Sequence, residues 1–184
     1  PVFNSALTIE RLIDQIYTAI PSNRIRHEVI LIDDASHDSS KSLLKEIFLK
    51  YPNISVIELR KNSGQDNAIM AGLKKVSGQY TVIMDDDLQH DPKYIPILFS
   101  EVKDGADVCY AKFPIKKQSF FKNFGSWFAN KCANILLKKP SNIYLSPFKI
   151  IDSSVVREII KYQGPYPYVD GLIFRVTKNV KQLD

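Results

Sequence analysis

Cysteine is scarce in this sequence. Its two, Cys109 and Cys132, stand far apart, with no Cys-x-x-Cys pair and no Cys/His metal spacing. A reduced, cytosolic setting follows, with room for one disulfide at most. No apolar run approaches the roughly 18 residues that span a bilayer. No basic start followed by an apolar core opens the chain, so no secretory leader is expected. Internal repeats and low-complexity stretches are also missing. Basic residues are in excess, giving a net charge of +5. They form no recognition helix, zinc module or aromatic strand platform, so nucleic acid is not an expected partner. A phosphorylated ligand, a membrane surface or plain solubility accounts for a charge of this size.

With 184 residues, the chain has the length of one domain with a real core. Ile9, Leu12, Ile13, Ile16 and Ile20 recur at helical spacing and predict a helix over 6–20. "EVILI" (28–32) is a short β-branched run suited to a buried parallel strand. Leu43, Leu44, Ile47 and Phe48 mark a second helix, capped by Asp38 or Ser39. "ISVIEL" (54–59) reads as a strand. Ala68, Ile69, Leu73 and Val76 trace a third helix, with Gly78 placed to end it. "YTVIM" (80–84) and "ADVCYA" (106–111) are further strands, and Pro92 opens a short helix between them. This alternation predicts an α/β fold, a Rossmann-like open and mostly parallel sheet flanked by helices.

Carboxylates then stand out. Asp33-Asp34 ends one strand and Asp85-Asp86-Asp87 ends another. In an open parallel sheet, ligands bind beyond the carboxyl ends of the strands, so both clusters should meet at one rim. Adjacent carboxylates repel, and a hard divalent cation such as Mg2+ or Mn2+ compensates them. Mg2+ takes one or two protein carboxylates and leaves its other positions to water and phosphates, which suits an Asp-x-Asp spacing. The bland alternative is a solvated turn with a helix cap. "RKNSGQDNAIMAGL" (60–73) adds a turn at Asn62 and Gly64 leading into a helix whose N–H groups favour an anion.

"PVFN", "VILIDDAS", "NSGQDNAIMAGL" and "MDDDLQHDP" follow one another in the order and spacing of glycosyltransferase family 2. The chain resembles its polyprenyl-phosphate sugar transferases. That resemblance implies a GT-A fold, a nucleotide-sugar donor, inversion at the anomeric carbon and Mg2+ or Mn2+ as cofactor. By the same resemblance Pro1 and Phe3 flank the base, and Asp34 bonds its pairing edge with Asp33 beside it. Asp85 and Asp87, with Asp86 between them, contact ribose and diphosphate through the metal, supported by Gln89. One departure is Ser5, where the family often has an acidic residue. "PVFN" also looks like the tail of a strand whose body is missing, so the chain reads as a piece of a longer protein.

After residue 111 the sequence turns basic and aromatic. We read 1–111 as the nucleotide-sugar half and 112–184 as the acceptor half of one domain. Lys122 and Ser126, one turn apart, resemble the family's lipid-phosphate site, with Lys116 or Lys117 adding charge. Lys122 stands where an Arg is typical, a point charge in place of a fork. "YLSPFKIID" (144–152) has Ser146-Pro147 where relatives with hydroxyl acceptors present a carboxylate. A phosphate acceptor is already ionised and needs no such base. Asp170 reads either as a substitute base or as a helix cap. The acceptor is thus a polyprenyl phosphate or a saccharide hydroxyl, and a membrane surface is an expected partner of the full-length protein. The rival readings are a phosphatase of the haloacid dehalogenase type, which also carries Asp-x-Asp at a strand end, and a non-catalytic nucleotide-sugar-binding domain.

Overall fold

The structure is a computed structural model, which describes residues 1–20, 25–112 and 143–183. The elements run α1 (Ile9–Ala19), β1 (Val29–Asp33), α2 (Ser40–Lys50), β2 (Ile54–Glu58), α3 (Gln65–Leu73) and β3 (Tyr80–Ile83). A 3-10 turn (Pro92–Tyr94) leads into α4 (Ile95–Lys103), then β4 (Val108–Ala111). After the undescribed stretch come β5 (Lys149–Asp152), α5 (Ser153–Ile159), α6 (Val169–Val176) and β6 (Val180–Leu183). Among the described residues no helix is long and apolar enough to cross a membrane.

β1 and β2 pair in parallel, and Val2 runs beside β1 through a parallel bridge to Asp33. The second sheet has the order β3-β5-β4-β6. β5 lies antiparallel to both β3 and β4, whereas β6 joins β4 in parallel. The expected α/β architecture is present, and the entry of β5 makes this second sheet mixed. An apolar cavity of about 460 Å³, lined by Ile30, Ile32, Val82 and Met84 among others, lies between β1 and β3.

α1 covers the sheet with the stripe its spacing predicts, whereas in α2 Leu44 and Ile47 are buried and Phe48 is exposed, and Val76 falls beyond the end of α3. Ile9, Leu12, Ile13 and Ile16 of α1 are buried, packing on Leu31 of β1 and Leu44 and Ile47 of α2. Alternate residues of the second sheet serve opposite faces, as the strand period requires. Ile83, Val108, Tyr110 and Ile151 meet α3, α5 and α6, while Cys109 and Ile150 meet Leu98 and Val102 of α4. Burying each such side chain is worth about 1.5–3 kcal/mol.

Gly78 does not end α3. The helix closes at Leu73, where Lys74 N–H donates to Met70 O and Lys75 N–H to Gly72 O, a tightening of the last turn that needs no left-handed residue. Asp38 supports the start of α2 as expected, accepting from Ser40 N–H at 3.0 Å.

Candidate functional site

The two acidic strand ends open onto one cleft. Its volume is about 280 Å³, and its walls are Pro1, Val2, Phe3, Asp34, Asn62, Gly64, Gln65 and Asp85 to Asp87. Three of the four segments that reach it turn away through a left-handed non-glycine residue, and the fourth turns at Gly64. Asn4 (φ 54°) follows Phe3, Ala35 (φ 59°) follows Asp34, and Leu88 (φ 62°) follows Asp87. Such residues cost of order 1–3 kcal/mol each and cluster at functional sites. Among the described residues, all three non-glycine positive φ angles fall at this rim.

Asp34 is buried, and both its oxygens are engaged. Oδ1 accepts from Ser63 N–H at 2.7 Å and Oδ2 from Gly64 N–H at 2.9 Å. The anion that the glycine turn binds is therefore the chain's own carboxylate. Lone pairs remain on Asp34 for a further donor. Asp33 is also buried, but it accepts from Ser36 N–H and does not line the cleft. Phe3 leaves 44% of its surface exposed and meets His37 edge-on at 6.3 Å.

The three aspartates after β3 are held differently. Asp85 Oδ1 accepts from the Gln65 side-chain amide at 2.6 Å. Asp86 Oδ2 accepts from Phe3 N–H at 3.2 Å and from the Ser5 hydroxyl. Asp87 Oδ1 accepts from Gln89 N–H at 3.0 Å, closing the turn over Leu88. Gln89 contributes that backbone bond, and its side chain is not a cleft wall. Burial, reinforced by repulsion from Asp87, holds the Asp85 carboxyl above the usual carboxylate range. Ser5, the departure noted above, is buried and ties the amino-terminal segment to Asp86.

Among the described residues no three His, Cys, Asp or Glu side chains converge to hold a metal alone. Of the four aspartates lining the cleft, Asp85 and Asp87 each accept one hydrogen bond through Oδ1 and are the residues that would hold a cation. That fits an ion whose remaining positions go to phosphate and water. Burial first, and then repulsion from Asp87, disfavours the charged Asp85 carboxyl, and a cation beside it would favour that charge.

A second polar group lies on the same rim. Lys149 begins β5 opposite Ile83, the last residue of β3, and Tyr110, the last but one of β4. Its side chain is 4% exposed and forms an ion pair with Asp170 Oδ1. Tyr110 Oη–H donates to that oxygen at 2.7 Å, and burial pushes the Tyr110 hydroxyl up strongly. Asp170 is thus no helix cap. Asp66 caps α6 from outside, accepting from Val169 N–H at 3.4 Å. Sequence reasoning missed Gln65, Asp66 and Lys149; the one signal was a polar pair following Gly64 at a helix start. Lys116, Lys117, Lys122 and Ser126 lie outside the described residues.

An acid-lined rim at the strand ends of an α/β fold suits a cation-bound phosphate ligand, and relatives of this chain narrow the class. Residues 1–160 match Glycosyl transferase family 2, and the chain belongs to that family. It is 30% identical over 161 residues to an undecaprenyl-phosphate 4-deoxy-4-formamido-L-arabinose transferase of Aeromonas hydrophila, covering 87% of this chain and 48% of that one. It is 34% identical over 116 residues to a dolichol-phosphate mannosyltransferase of Pyrococcus furiosus, covering 63% and 32%. The chain thus spans half or less of the length of these two relatives. Among solved structures, glucosyl-3-phosphoglycerate synthase from Mycobacterium tuberculosis, in complex with Mn2+, UDP-glucose and phosphoglyceric acid, superposes with a TM-score of 0.65 at 17% identity. The match covers 99% of this chain and 66% of that one, and it shows the shared GT-A fold. The family match sets aside the phosphatase reading.

Proposed function

We propose that the chain is the catalytic part of an inverting, cation-dependent transferase that moves a sugar from a nucleoside diphosphate sugar, with uridine as the base, to a polyprenyl phosphate. The observation that carries this reading is the single cleft shared by Asp34 and the Asp85–Asp87 run. Phe3 and Pro1 flank the base, and Asp34 accepts from its pairing edge. Asp85 and Asp87 are the residues that would hold Mg2+ or Mn2+. When bound, the ion supplies positive charge against the diphosphate leaving group.

The acceptor oxygen forms the new bond to the anomeric carbon as the bond to the diphosphate breaks on the opposite face. A phosphate acceptor brings its own negative charge and needs no base. Two observations support that choice over a saccharide hydroxyl. Ser146, where hydroxyl-accepting relatives place a carboxylate, is buried, its Oγ accepting from Phe148 N–H. Asp170, the substitute, is tied to Lys149 and Tyr110. Lys122 and Ser126, with Lys116, hold the lipid phosphate in this reading, which places the full-length protein on the cytoplasmic face of a membrane.

The test is a thermal-shift screen of UDP and GDP with and without Mn2+, followed by transfer assays with polyprenyl phosphate. Stabilisation by UDP only with metal, and a lipid-linked product of inverted anomeric configuration, are expected. Nucleotide binding without any transfer would leave a non-catalytic domain in its place.

A further inference from the structure

Helix α3 begins as a bridge between the two acidic strand ends. Gly64 precedes it at φ 87° and ψ 155°, a backbone region that only glycine adopts freely. The turn is fixed on one side by the two Asp34 oxygens and internally by Asn67, whose side-chain amide donates to Ser63 O at 2.8 Å. With the turn clamped to the end of β1, its next residue, Gln65, reaches Asp85 at the end of β3. Gln65 is exposed, so no core packing explains where its side chain lies.

We propose that Gln65 is a positioning residue for the metal-diphosphate site, acting through Asp85. This inference rests on the function proposed above. The amide takes one carboxylate oxygen, stops the group from rotating and leaves the other oxygen for the cation. A neutral donor suits this task. Lys or Arg at the same place would cancel the charge that the cation needs, whereas Gln orients the carboxylate and leaves its charge intact. Because Asp34 fixes the turn that carries Gln65, the base end and the diphosphate end of the donor site share one support.

The experiment compares wild type with Gln65→Leu, which keeps bulk and removes the donor. Mn2+-dependent UDP and GDP binding is measured by calorimetry, free Mn2+ by its paramagnetic resonance signal, and the unfolding temperature without ligands. The expected result is a 10–100-fold weaker Mn2+-dependent nucleotide affinity, the usual cost of losing a partner of a metal ligand. The ligand-free unfolding temperature should stay the same, as should metal-free binding of uridine. Unchanged Mn2+-dependent affinity in Gln65→Leu overturns this inference alone. A parallel loss of uridine binding or of ligand-free stability also overturns it, since Gln65 would then be structural. If wild type binds neither nucleotide in a metal-dependent way, the proposed function and this inference both fall.

Discussion

Two groups of carboxylates occupy the same sheet rim, and their partners differ. Asp170 faces Lys149, a cation the chain buries beside it, together with the Tyr110 hydroxyl. Asp85 accepts from an amide side chain and Asp87 from a backbone N–H, both neutral donors, while His90 offsets part of the Asp85 charge. The first group carries its own counter-ion, and the second accepts its hydrogen bonds from neutral groups. A buried lysine joins β5 to α6 through Asp170, and on this largely acidic rim its position separates scaffold from site.

Removing charge from each group should therefore break different things. Asp87→Asn keeps an oxygen for Gln89 N–H and loses the charge. We expect transfer to fall at least about 1000-fold, roughly 4 kcal/mol in the barrier, with stability little changed. Steady-state assays beside urea unfolding check both halves. Lys149→Met should do the reverse, leaving the partly buried Asp170 with Tyr110 but without its cation, at a cost in stability approaching the ~3–5 kcal/mol of a fully buried pair. Its urea midpoint should drop accordingly, and the double variant Lys149→Met/Asp170→Leu should recover part of the loss. If Lys149→Met were fully stable but inactive, Lys149 would belong to the site and the contrast would fail.

The sequence carried the alternation of strands and helices because β1, β3 and β4 are short apolar runs and α1 has an unbroken stripe. The acidic ends were legible for the same reason, as charges that no neighbour in sequence compensates. Partners distant in sequence were not. Asp34 occupies the amides of a turn about 30 residues away, a contact that exists only once α3 is seated against β1. "FKIID" reads as an ordinary strand with a polar residue near each end until its Lys149 meets Asp170, 21 residues on. Gly78 misled because a glycine after a helical stripe suggests a left-handed cap, whereas α3 closes through its own carbonyls. Gln65 stayed hidden because nothing in sequence marks it as facing Asp85.

Asp66 tests the boundary between the two groups. It sits beside Gln65 on α3, caps α6 through Val169 N–H, and faces both Asp170 and Lys149. Burial, with repulsion from Asp170, raises its carboxyl above the ordinary range near 3.9. A carboxyl raised on folding binds protons more readily in the native state, so it favours the folded chain at low pH. That contribution fades as pH rises from the unfolded value through the folded one. Asp66→Asn keeps an oxygen for Val169 and cannot ionise. Relative to wild type, the variant should therefore gain stability as pH rises above the ordinary carboxylate value near 3.9, the smallest effect of the three. Parallel pH-stability curves for the two proteins would mean that Lys149 compensates Asp66 as fully as it does Asp170, placing Asp66 with the scaffold and moving the edge of the site back to Gln65.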